Sequence, residues 1–192
     1  MSCWLGMAQG QEMTPSSMPD VDHSRQTPEL AREREAVARY MFFWTLCERI
    51  VLLESDRQPD QSPGAVVKRL LNLMPENSAA GCPEVFRKVW LEPSEKIKTA
   101  LNKNEEWAET PEGKKQMEAM EKAMKCLEEP YGVTQMVRLS REWLNNRLGF
   151  RKEDSPEKVL KDVLQLKSDV ESGKVAVPVE YLRAGVDGNT VD

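Results

Sequence analysis

Apolar positions recur at three- and four-residue steps along most of the chain, the period of a helix buried on one side. Val66, Val67, Leu70, Leu71 and Met74 form one stripe and predict a helix over about 63–74. Val85, Phe86, Val89 and Trp90 predict a short helix that opens at Pro83 and ends before Pro93. Ser94 is then expected to cap the next helix, with Ile97, Ala100, Leu101 and Trp107 on its inner face. Met117, Met120, Met124 and Leu127 repeat within a predicted helix over about 111–129, closed by the break Pro130-Tyr131-Gly132. Met136, Val137, Trp143, Leu144 and Leu148 mark a further helix at about 134–148, with Gly149 as its stop. Val159, Leu160, Val163, Leu164, Leu166 and Val170 mark a helix at about 156–172.

One segment departs from this one-sided pattern. Between Tyr40 and Cys47, and again from Ile50 to Leu53, nearly every position is apolar, while the preceding Glu29–Arg39 stretch alternates in charge. A helix that is apolar all round belongs in the interior. No Gly or Pro interrupts residues 29–58. The expected fold is therefore all-α: a compact bundle of about seven helices around a central helix at about 28–54.

The starts of the helices are written locally. Thr27-Pro28, Ser62-Pro63, Thr110-Pro111 and Ser155-Pro156 each stand directly before an apolar run. A cap hydroxyl accepts from an orphan donor of the first turn, and proline at the next position lacks a donor the helix does not use.

The ends read differently. Residues 1–26 are rich in Ser, Pro, Gln, Gly and Met without a period, and are expected to form a flexible tail in which Trp4 and Leu5 stand out. Val175, Val177 and Val179 alternate, so residues 174–192 are expected to be an extended arm fraying after Ala184. Residues 27–173 form the helical domain, taken as one unit; a division into two lobes would fall near 130–133 or 151–154.

Composition narrows the partners. The 192 residues are 40% hydrophobic and 31% charged, with a net charge of −5. That balance gives no general attraction to nucleic acid or anionic lipid. The four cysteines contain no CxxC pair, and Cys47 and Cys126 fall in apolar helical patterns. Reduced, buried thiols in an intracellular protein, cytoplasmic or nuclear, are expected. Met1–Gly10 lacks a basic leader with a sustained apolar stretch, and no run is long enough to span a bilayer.

Candidate chemistry is sparse. His23, in the expected tail, is the single histidine, which removes Ser-His-Asp, Cys-His and paired-His metal arrangements within one chain. No phosphate-binding glycine loop, nucleophile elbow or calcium loop is present. No cofactor and no metal is expected, and an enzyme of this sequence would rely on carboxylates, Lys, Tyr or Cys. Glu48 and Arg49, inside the apolar helix, are expected to form an internal ion pair or the rim of a pocket.

Three features carry candidate function. The stripe Met117, Met120, Met124 and Leu127 has the adaptable chemistry of a binding surface. It packs on the central helix or, if exposed, forms a dimer or partner-helix face. Arg138, Arg141, Arg147, Arg151 and Lys152 lie within one short stretch and would suit RNA, an anionic lipid headgroup or an acidic partner, unless paired on a solvated face. Thr14-Pro15 is a minimal site for proline-directed phosphorylation. The function expected is a non-enzymatic interaction or assembly protein that buries an apolar helix face against a protein partner or a second copy. A viral matrix-like or capsid-like protein and an adaptor are its concrete versions. A binder of RNA or other phosphate ligands, and a small all-helical enzyme using carboxylates, are the alternatives.

Overall fold

A computed structural model describes residues 27–56 and 62–184. Thr14, His23 and the remainder of segment 1–26 lie outside the described residues, as do residues 185–192. The fold is all-α, as the periodicity predicts. It comprises α1 (Pro28–Ser55), α2 (Pro63–Leu73), α3 (Glu84–Phe86), α4 (Glu92–Lys103), α5 (Pro111–Tyr131), α6 (Val133–Leu148), α7 (Pro156–Glu171) and α8 (Val179–Ala184).

All four hydroxyl-proline doublets cap helices. Thr27 Oγ1 accepts from Leu30 N at 3.2 Å, Ser62 Oγ from Ala65 N at 3.3 Å, Thr110 Oγ1 from Gly113 N at 3.1 Å and Ser155 Oγ from Lys158 N at 3.2 Å. Each satisfies a first-turn donor that has no partner within its helix.

Helix α1 is the hub. It packs against α2, α6, α7 and α8, and Val37, Met41, Phe42, Leu46 and Ile50 are fully buried. Burial of each such side chain stabilises the fold by about 1.5–3 kcal/mol relative to exposure. Its aromatic run reaches three neighbours edge to face. Ring centroids lie 5.3 Å apart for Tyr40 and Phe86, 5.1 Å for Trp44 and Trp90, and 5.4 Å for Phe42 and Trp143. Such pairs add to the simple burial of apolar area.

Three boundaries differ from the sequence expectation. The helix opening at Glu84 does not end before Pro93. It passes through a π-helical segment, Arg87–Leu91, directly into α4. Proline has no N–H, so a helix that crosses it must leave an acceptor unmatched, and the wider π register accommodates the mismatch. Ser94 consequently caps nothing: it is buried, and its hydroxyl donates to the Trp90 carbonyl at 2.6 Å. Val85, expected inside, is exposed.

Helix α5 runs two residues past its expected end, into the break. Pro130 sits in its last turn and Tyr131 is buried; Gly132, at φ 65°, makes the turn into α6. The Pro130 carbonyl accepts from Arg34 Nε of α1 at 3.3 Å.

The C-terminal expectation also changes. Val175 and Val177 lie in irregular chain rather than a strand, and the following α8 buries Leu182 completely against α1 and α6. One contiguous apolar cluster extends from Ala36 of α1 to Leu182 of α8. Among the described residues no helix is long and apolar enough to cross a membrane.

Candidate functional site

The methionine stripe of α5 faces inward. Met120 and Leu127 are buried, and Met117 and Met124 are half-buried against the same core. Helix α5 packs on α4, α6 and the Arg87–Leu91 segment, and touches α1 through the Arg34–Pro130 hydrogen bond. The exposed partner face expected on Met117, Met120, Met124 and Leu127 is therefore corrected: the stripe has the period of a core-facing helix because it is one. Cys126, expected to be buried, is exposed on the same helix.

The basic cluster divides into two groups. Arg138 is paired with Glu142, one turn on along α6, and donates to Gln135 Oε1 at 3.0 Å. Tyr181 of α8 donates to the other Glu142 oxygen at 3.2 Å. Burial and the adjacent carboxylate push that phenol above its ordinary range. Arg141 reaches across to α1, with Nη2 at 3.1 and 3.3 Å from the Glu48 oxygens. Arg147, Arg151 and Lys152 are exposed, and their side chains have no ion-pair partner among the described residues.

Glu48 and Arg49 do not pair with each other. Arg49 donates to Asn145 Oδ1 at 2.9 Å and lies 5.9 Å from the Phe150 ring centroid. The Glu48–Arg141 pair instead borders an open groove of about 420 Å³ that also contains the exposed Leu52. Of its charged groups, Glu48 and Arg141 engage each other and Arg49 is held by Asn145. Among the described residues no three His, Cys, Asp or Glu side chains cluster as metal ligands would.

A second groove, of about 560 Å³, has a different character. Ala100 and Trp107 provide its apolar surface, with Lys96 and Lys103 of α4 at its rim. Trp107, expected on the inner face of a helix, is half-buried on a 3₁₀ turn, Glu105–Glu109, between α4 and α5. Asn104 Oδ1 caps that turn by accepting from Glu106 N at 3.1 Å, and the Thr110 hydroxyl closes it by donating to the Trp107 carbonyl at 2.6 Å.

Two helical glycines hold the turn from behind. A Cβ on Gly64 of α2 would lie 2.4 Å from the Glu105 carbonyl oxygen, and one on Gly113 of α5 would lie 2.0 Å from that of Trp107. Glycine inside a helix costs about 0.5–1 kcal/mol relative to alanine. Here the missing side chain lets backbone approach backbone. This groove was not legible as a site in advance. The available signal was two glycines inside otherwise regular helical patterns, which mark close packing.

Compared with known proteins, the chain matches no family model, no curated protein and no solved structure.

Proposed function

We propose that the chain is a non-enzymatic interaction protein that holds a protein partner on the Trp107 groove. The observation that carries this reading is the groove itself: an apolar concavity, centred on a partly exposed tryptophan, on a turn fixed by two caps and two glycines. Tryptophan in a shallow pocket is the residue type around which binding energy concentrates. Its volume lies in the range of ordinary ligand-binding clefts, and a pre-formed surface loses little conformational freedom on binding.

The proposal moves the interaction face from α5 to the junction of α4 and α5. The test compares the full chain with Ala100→Glu, which places a charge in the groove without touching the core, and with Trp107→Ala. A protein partner captured by the wild type should be reconstituted from purified components by calorimetry and lost with Ala100→Glu, while circular dichroism remains unchanged. A reconstituted partner held equally by both variants would place binding elsewhere and overturn the reading.

A further inference from the structure

Three of the six polar side chains lining the Trp107 groove are already engaged. Thr110 both donates and accepts, Asn104 caps the turn, and Glu95 pairs with Lys98 at 3.8 Å. Neighbouring lysines are also paired: Lys68 with Glu105 at 2.8 Å and Lys114 with Glu109 at 3.4 Å. Lys96 and Lys103 differ. Both are exposed on the groove rim, and neither has a carboxylate partner among the described residues. In a chain of net charge −5, in which acids outnumber basic residues, two unpaired cations on one apolar groove set its electrostatic character.

Their spacing defines what would fit. Residues seven apart on a helix project from one face, separated along the axis by about 10 Å. Ala100 lies between them, its small side chain leaving space beside Trp107. Resting on the interaction reading above, we propose that the groove accepts an acidic peptide segment: one apolar or aromatic anchor against Ala100 and Trp107, with a carboxylate on each side at Lys96 and Lys103. In an extended peptide alternate side chains share a face, so an anchor with a carboxylate two positions to either side presents all three to the groove; the carboxylates then lie about 13 Å apart, a span the flexible lysine stems cover. The apolar contact supplies affinity, and the lysines set register and select against basic sequences.

The test uses peptides of about twelve random residues displayed on phage. They are selected on the immobilised full chain and counter-selected on Ala100→Glu. The enriched sequences are expected to carry an apolar residue bracketed by Asp or Glu. A synthetic peptide of that sequence, fluorescein-labelled and read by anisotropy, should bind about tenfold or more weakly to Lys96→Glu/Lys103→Glu. It should bind Lys96→Arg/Lys103→Arg nearly as well as wild type and weaken as salt is raised. Enrichment of neutral or basic peptides that still require Ala100 would overturn the acidic specificity while leaving the interaction reading intact. Equal binding by the Lys96→Glu/Lys103→Glu variant, or no enrichment over the counter-selection, would also overturn the proposal.

Discussion

Trp90 Nε1 donates to Tyr40 Oη at 3.3 Å, with both side chains buried. This hydrogen bond ties the π-helical segment to the hub. Tyr40→Phe would leave a buried indole N–H without an acceptor, at a cost of about 1–3 kcal/mol. Trp90→Phe would remove the donor together with packing. In a denaturant-monitored double-mutant cycle the two changes should couple by about 0.5–3 kcal/mol. Strict additivity would mean that the contact contributes nothing to stability.

Buried proton donors predict a fall in stability at alkaline pH. Burial pushes the Cys47 thiol from 9.0 up to about 12 and the Cys82 thiol up to about 11. The Tyr40 phenol is raised for the same reason. Each folded pKa lies above its unfolded value, so the folded chain retains protons that the unfolded chain releases. The stabilising contribution is fully present below the unfolded values and declines as pH rises towards the folded ones. The unfolding free energy from denaturant titrations should fall from about pH 9 upward, by about 1.4 kcal/mol per pH unit for each group within its window. Cys47→Ala/Cys82→Ala should show a shallower decline.

The same thiols should separate by reactivity. Cys47 and Cys82 are buried, whereas Cys126 is exposed. Iodoacetamide treatment of the native chain, read by peptide mass spectrometry, should label Cys126 and reach Cys47 and Cys82 only after denaturant is added. Labelling of Cys47 at the rate of Cys126 would contradict the packing of α1.

Local chemistry made part of this structure legible in the sequence. The caps at Thr27, Ser62, Thr110 and Ser155 depend on atoms within three residues of one another, so the sequence alone marks them. The hub at Tyr40–Cys47 was equally plain because its apolar residues cover every face. The π segment before Pro93 was not legible, since proline ordinarily ends a helix and only tertiary burial of Phe86 and Trp90 makes continuing it favourable. Helix α8 was hidden because the valines at 175, 177 and 179 alternate, and the short helix that follows has a single fully buried side chain, Leu182. The groove was hidden for a related reason. Trp107 belongs to an apolar pattern, but how far it sinks depends on Gly113 and on Gly64, which is distant in sequence, admitting the turn that carries it.

Leu127 tests whether the α5 stripe is core. It has no exposed surface, and Leu127→Ala should cost about 2–5 kcal/mol through lost burial and the cavity left behind. Leu164, on α7, is 40% exposed. Leu164→Ala should cost clearly less in the same guanidinium titration. Comparable losses at the two sites would contradict the inward orientation of the stripe.

The two helical glycines give a test in which the sign itself is informative. At an unconstrained helical position Gly→Ala stabilises by about 0.4–1 kcal/mol, because alanine has less freedom to lose on folding. At Gly113 the added Cβ would stand 2.0 Å from the Trp107 oxygen, and at Gly64 it would stand 2.4 Å from the Glu105 oxygen. The obstacles are backbone atoms, which cannot rotate aside. Both Gly113→Ala and Gly64→Ala should therefore destabilise, by about 1–3 kcal/mol, as overpacking does. Gly149→Ala provides a contrast: nothing lies within 4 Å of its Cβ, but its φ of +55° is left-handed, so its cost should be only the about 1–2 kcal/mol of backbone strain. Because Gly64 and Gly113 hold the same turn, the double variant should lose less than the sum of the singles: once one helix has moved away, the turn is free to yield to the other. Thermal denaturation of the three single variants and the Gly64/Gly113 pair decides the matter. An increase in Tm for Gly113→Ala would show that the turn carrying Trp107 is not held by close backbone contact.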